Sequence, residues 1–163
     1  MHKLFFVGDS AVKRRFNRYQ RATARLAVVQ MLFAEQHGEL GDQQDAILNF
    51  FQEDWEKPDL HFMHDRFKSI CKNSIPLEAR IKDGLRKGWS SDRVDSVLHA
   101  ILIAASDEMI NGNHKTPVEI LVKEYVDLAA DFFNKSEIAF VNAYLNDLKH
   151  TLATANTANS DMR

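Results

Sequence analysis

The 163-residue sequence predicts an all-α fold, a compact bundle of about seven helices, from three observations. Apolar residues recur at steps of three and four, only six Gly and three Pro interrupt them, and no useful stretch alternates with the period of a strand. With 45% apolar and 27% charged residues, the chain has the composition of a globular domain, long enough to bury a core without staples.

From Arg18 to Gln36, Ala22, Leu26, Val29 and Phe33 lie on one helical face, and Gly38 and Gly41 follow as a stop. The stretch from Glu35 to Asp59 carries eight acids against Lys57 alone; within it Ile47, Leu48, Phe50, Phe51 and Trp55 give a short second helix a wide apolar face, ended by Pro58. A third helix over residues 60–73 places Leu60, Met63, Phe67, Ile70 and Cys71 on one side, so the Cys71 thiol is expected to be buried and inert.

Pro76 sits near the start of a fourth helix, whose Leu77, Ile81 and Leu85 repeat every four residues until Gly88. Ser91 and Asp92 are placed to open a fifth, central helix. Val94, Val97, Leu98, Ile101, Leu102 and Ala105 nearly encircle its middle, and Asn111 and Gly112 stop it. In TPVE, Thr116 and Glu119 have the spacing of a capping box with Pro117 between them, opening a helix to about Phe133. Ser136 is expected to cap a last helix in which Val141, Leu145, Leu148 and Leu152 share a face.

These elements divide the chain into a basic extension (1–17), one helical domain (18–152) and a tail (153–163) expected to be disordered because it loses periodicity. A lone cysteine, no recognisable leader and no apolar run of membrane-spanning length point to a reducing cytoplasm.

Charge is unevenly placed. Residues 1–25 hold seven Lys or Arg and one Asp, a net +6, whereas the remainder holds 14 basic residues against 22 acids, a net −8. If the first helix extends back to Arg14, a turn of about 100° per residue gathers Arg14, Arg18, Arg21 and Arg25 into one strip beside the apolar face. Guanidinium groups with Tyr19 nearby suit the phosphates and unstacked bases of a nucleic acid; a solvated edge, or pairing with the acids of residues 35–59, is the plainer reading.

Other chemistry is weakly signalled. His61 and His64 are three apart, but no Glu stands as in H-E-x-x-H and no Cys pair assists, so no metal or cofactor is expected. No G-x-S-x-G, Walker loop or G-x-G-x-x-G occurs, and DGLRKG (83–88) reads as a helix stop. Asp107 and Glu108 point about 100° apart and read as solvent-facing or partner-binding acids rather than a catalytic pair. In FVNAYL (140–145), Val141 and Leu145 belong to the core face, which leaves Phe140 and Asn142 over.

Arg21 with ARLAVVQMLF (24–33), DRVDSVLHAIL followed by Glu108, TPVEILVKEYVDLAADFF (116–133) and FVNAYL, in this order over about residues 18–148, resemble the NusB family of bacterial transcription antitermination factors, alphaproteobacterial members especially. The resemblance implies two small helical bundles and a non-catalytic role. Such proteins bind boxA RNA of ribosomal RNA leaders together with NusE, a small-subunit ribosomal protein, and join other Nus factors on RNA polymerase.

Carried over by position, the resemblance assigns RNA binding to Arg18, Arg21, Arg25, Gln30, Phe140 and Asn142. The chain has Ala22 and Thr23 where members often carry further arginines; Arg14 and Arg15 upstream, beside Lys13, are candidates to replace them. Phe33 and Glu108 are the candidates for the partner surface. A protein-interaction module that kept the fold and lost RNA binding is the alternative.

Overall fold

The computed structural model describes residues 20–41, 45, 59–85 and 94–162, and within them the structure is helical without strands. Six helices are described: α1 (Gln20–Gln36), α2 (Leu60–Lys72), α3 (Ser74–Leu85), α4 (Ser96–Asn111), α5 (Val118–Ala130) and α6 (Lys135–Asp161). The expected second helix with Ile47 to Trp55, and the candidate stops and starts Gly88, Ser91 and Asp92, lie outside the described residues, which accounts for six where about seven were expected.

α4 is the axis of the fold, and α1, α2, α3, α5 and α6 all pack against it. Every residue from Ala100 to Met109 is buried, as the encircling apolar pattern predicts. Leu98, Ile101 and Leu102 are almost wholly enclosed, and burying each such side chain contributes roughly 1.5–3 kcal/mol before conformational entropy is counted. α1 is antiparallel to α4, since Arg25 meets Glu108 at one end and Gln36 meets His99 at the other. α2 begins beside α1, where the Asp59 amide donates to the Gln20 carbonyl.

Helix ends follow local chemistry, with some shifts from the sequence reading. Asp59 caps α2 by accepting from the Phe62 amide at 3.0 Å, an interaction of about 1 kcal/mol. α4 opens at Ser96 instead of Ser91, because the Asp95 carboxylate accepts from the Val97 amide at 2.7 Å. The TPVE capping box does not form: α5 starts one residue later, with Pro117 at its N-cap and no side chain bonded there, and it ends at Ala130. Asn134 precedes α6, and Ser136 bonds Glu137 instead of capping. Gly38, at φ 69°, takes the left-handed turn that ends α1, with the Glu39 amide donating back to Ala34.

Two further expectations are corrected. Cys71 is exposed, because α2 buries only Met63 and Ile70 and turns Cys71 to the rim. α6 continues to Asp161, past Leu152, where disorder was expected to begin. Those last turns bury nothing; the alanines among them favour helix, and the hydroxyls of Thr154, Thr157 and Ser160 fold back onto carbonyls four residues earlier.

Gly84 lies within α3 under the ring of Tyr144 on α6, and an added Cβ would stand 2.6 Å from Tyr144 Cε2. The Tyr144 hydroxyl is in turn bonded to buried Ser106 at 3.1 Å. Gly84→Ala is therefore expected to destabilise the fold by about 1–3 kcal/mol through overpacking. In urea unfolding the midpoint should fall, and adding Tyr144→Leu should recover part of the loss. An unchanged midpoint for Gly84→Ala would show that the ring yields freely.

Candidate nucleic-acid interface

The arginine strip divides as soon as it meets α4. Arg21 keeps 40% of its side chain exposed, with Nε 3.8 Å from Asp59 Oδ2, a loose surface pairing. Arg25, one turn on, is only 6% exposed and its Nε donates to Glu108 Oε1 at 2.7 Å and Oε2 at 3.1 Å. The sequence reading set both along an accessible edge; the end of α4 closes over the second. Residues from Ala22 to Leu32 are buried in one unbroken run, so α1 has no solvated edge there.

Glu108 is likewise corrected: it is buried, and the Tyr125 hydroxyl on α5 donates to its Oε1 at 3.2 Å. Burial works to lower the Arg25 pKa, but the Glu108 hydrogen bond and nearby negative charge outweigh it and hold the guanidinium ionised. Burial, then the Glu108 charge, raise the Tyr125 phenol well above its usual range, so it remains a donor. The pair is a structural clasp, inaccessible to a partner protein in this fold.

Asp107, also expected at the surface, is fully enclosed. It accepts from Arg66 Nη1 at 3.1 Å, Ser69 Oγ at 2.8 Å and Asn111 Nδ2 at 2.9 Å. Burial pushes its carboxyl pKa up, against the opposing pull of the Asn111 and Ser69 bonds and the Arg66 charge.

Phe62 is the residue the sequence reading missed. The Arg21 and Arg25 guanidinium carbons lie 5.1 and 5.3 Å from its ring centroid, within cation–π range. Its signal was faint: it stands off the Leu60, Met63, Phe67 and Ile70 face, where an aromatic must find another neighbour.

The remaining candidates are dispersed. Lys13, Arg14, Arg15 and Arg18 lie outside the described residues. Gln30 is 1% exposed, and its Oε1 is the buried side-chain atom that lacks a hydrogen-bond partner among the described residues; a surface role for it is corrected. Phe33 is half-buried, its ring 4.3 Å from that of His37. Phe140 is half-buried, its ring 6.4 Å from that of Tyr144. Asn142 is exposed and accepts from Asn146. Both sit on α6, with α4 between them and the Arg21 corner.

His61 and His64 are exposed on α2, and His61 faces Asp65 at 3.3 Å. Among the described residues no three His, Cys, Asp or Glu converge as a metal site would require. Cys71 has its thiol pKa raised by partial burial and by the charge of Glu35, which disfavours the nucleophilic thiolate. No helix among the described residues is long and apolar enough to cross a membrane.

Comparison with known proteins bears on this arrangement. The profile of the NusB family matches residues 18–150. The transcription antitermination protein NusB of Nitrobacter hamburgensis is 30% identical over 139 residues, covering 79% of this chain and 85% of that protein. That of Sphingopyxis alaskensis is 32% identical over 135 residues, covering 77% and 89%. That of Hyphomonas neptunium is 33% identical over 145 residues, covering 83% and 92%.

The buried clasp makes a prediction about stability. Arg25→Met strands the Glu108 carboxylate and is expected to cost about 3–5 kcal/mol, whereas Arg25→Met with Glu108→Leu should recover much of that loss. Urea unfolding measures both. A single variant as stable as wild type would show that water or another cation replaces Arg25.

Proposed function

As the chain belongs to the NusB family of transcription antitermination factors, we propose that it acts without catalysis, binding boxA-type RNA of ribosomal RNA leaders together with the ribosomal protein NusE. With that partner it would join other Nus factors on RNA polymerase. The observation that carries the reading is the Arg21 corner: an accessible guanidinium at the start of α1, resting on Phe62 and held only loosely by Asp59. Such a group exchanges a weak surface contact for a bidentate phosphate bond at little cost.

Arg14, Arg15 and Arg18, next in sequence before this corner, would extend the phosphate track, and Phe140 and Asn142 would meet bases farther along. Arg25 serves this surface from below, fixing α1 on α4 so that Arg21 is presented from a rigid helix. Of the two residues expected at the partner surface, Phe33 retains accessible area, and Glu35 and Glu39 near this end of α1 carry negative charge that suits a basic ribosomal protein.

A second reading has an observation in its favour. Burial of Arg25 and Gln30 leaves Arg21 as the accessible amino-terminal matched residue among those described, which fits a module that binds protein and little RNA.

RNA titrations decide between the two. Binding of a boxA RNA and a scrambled control is measured across salt concentrations, with and without the ribosomal partner. The adaptor reading expects boxA preference that the partner strengthens; absence of both effects rejects it. Arg21→Ala should weaken binding several-fold at low salt and reduce the slope of log K against log salt by about one, with the unfolding midpoint little changed. An unaltered slope would clear Arg21 of phosphate contact.

A further inference from the structure

Phe62 also lines a cavity of about 160 Å³, bounded in part by the connection between α4 and α5. At about 30 Å³ per water molecule that is room for about five waters. That suits one planar ring system and is well below the 300–1,000 Å³ of a drug-sized ligand site. Phe62 and Arg66 form one wall, Leu121 closes the apolar end, and Asn111, Asn113 and His114 stand around the mouth.

Its electrostatics argue against an anion. The two ionised groups at its base are already matched, Arg66 by Asp107 and Glu108 by Arg25. Asp65 at the rim adds a negative charge, with His61 opposite it. What remains is an aromatic face, an aliphatic end and the capacity left on two side-chain amides, the second N–H of Asn111, whose first is given to Asp107, and the N–H groups of Asn113, whose oxygen accepts from Lys115; such groups can read the edge of an unstacked base.

The mouth is held in shape. Gly112 passes so close over the end of α4 that a Cβ would fall 2.2 Å from the Glu108 carbonyl oxygen. His114 sits at φ 57°, a left-handed conformation that is strained for a non-glycine residue and recurs at ligand sites. Asn113 Oδ1 accepts from the Lys115 amide at 3.1 Å, which fixes the turn between them.

We infer that this cavity takes one unstacked base of the bound RNA strand, the nucleotide whose phosphate Arg21 holds. The inference rests on the RNA-binding reading and adds to it a site for a base. Phe62 joins the two parts, with Arg21 on its ring and the cavity against it. A strand crossing this corner would set a phosphate on the guanidinium and turn the adjoining base inward.

The test uses Asn113→Trp, which fills the mouth from an exposed position and changes no charge, and a boxA RNA series in which one nucleotide at a time is made abasic. For wild type, one abasic position should weaken binding by roughly 5- to 100-fold, the scale of one lost stacked base. Asn113→Trp should lose a similar factor on intact RNA, keep the wild-type salt slope, and become indifferent to that abasic position. Phe62→Leu should reproduce the loss.

If Asn113→Trp matches wild type in affinity and in its ranking of the abasic series, the inference is overturned while RNA binding stands. If the variant impairs binding of the ribosomal protein and leaves RNA binding intact, the cavity takes a protein side chain and the inference again fails. If wild type binds no RNA, the proposed function itself falls, and the inference with it.

Discussion

The Arg25–Glu108 pair sets the frame on which the other contacts depend. An ion pair taken out of water returns its desolvation cost only with close geometry and further hydrogen bonds, so it tolerates few alternative packings. Here it joins residues 83 apart and ties the start of α1 to the end of α4. Tyr125 adds α5 to the same carboxylate. One residue earlier, Asp107 draws in α2 through Arg66 and Ser69. Because neighbouring residues on a helix diverge by about 100°, two adjacent acids hold partners on different sides of one axis.

This arrangement explains why α1 and α4 are so evenly buried. Apolar packing by Leu26, Val29, Met31 and Leu32 is non-directional, and the small Ala22, Ala24, Ala27 and Val28 among them add little shape to fix a register. The buried pair at one end, and the Gln36–His99 contact at the other, fix it. Small side chains then become an advantage, because they permit close approach. The same logic appears at Gly84, where a missing Cβ lets α3 come under Tyr144.

The sequence made helix faces legible wherever burial follows local periodicity. Leu77, Ile81 and Leu85, and Val141, Leu145 and Leu148, are buried as their spacing indicates, and the ends of α1 and α4 fall at glycines that stop them. It failed where burial is decided by a partner far along the chain. Arg25, Glu108 and Asp107 each read as surface charges, because periodicity assigns a charge to water unless its counter-ion is known. Cys71 failed for the opposite reason: an apolar-side assignment assumes something covers that side, and α2 turns it to the rim. Helix starts shifted because Asp95 holds the first free amide of α4, and because Pro117 took the place intended for Thr116.

The division of labour between Arg21 and Arg25 bears on the proposed recognition of RNA. Affinity from a few phosphate contacts depends on how little freedom those contacts lose on binding. A guanidinium on a frayed helix end would surrender most of its gain to ordering. Arg21 instead stands one turn from a buried ion pair and rests on Phe62, so much of the ordering is already present in the free protein. In the proposed RNA complex Arg25, although enclosed, would thereby act on affinity through position and not through contact. A strip of identical residues can thus hold two roles, separated only by which of them the end of α4 covers.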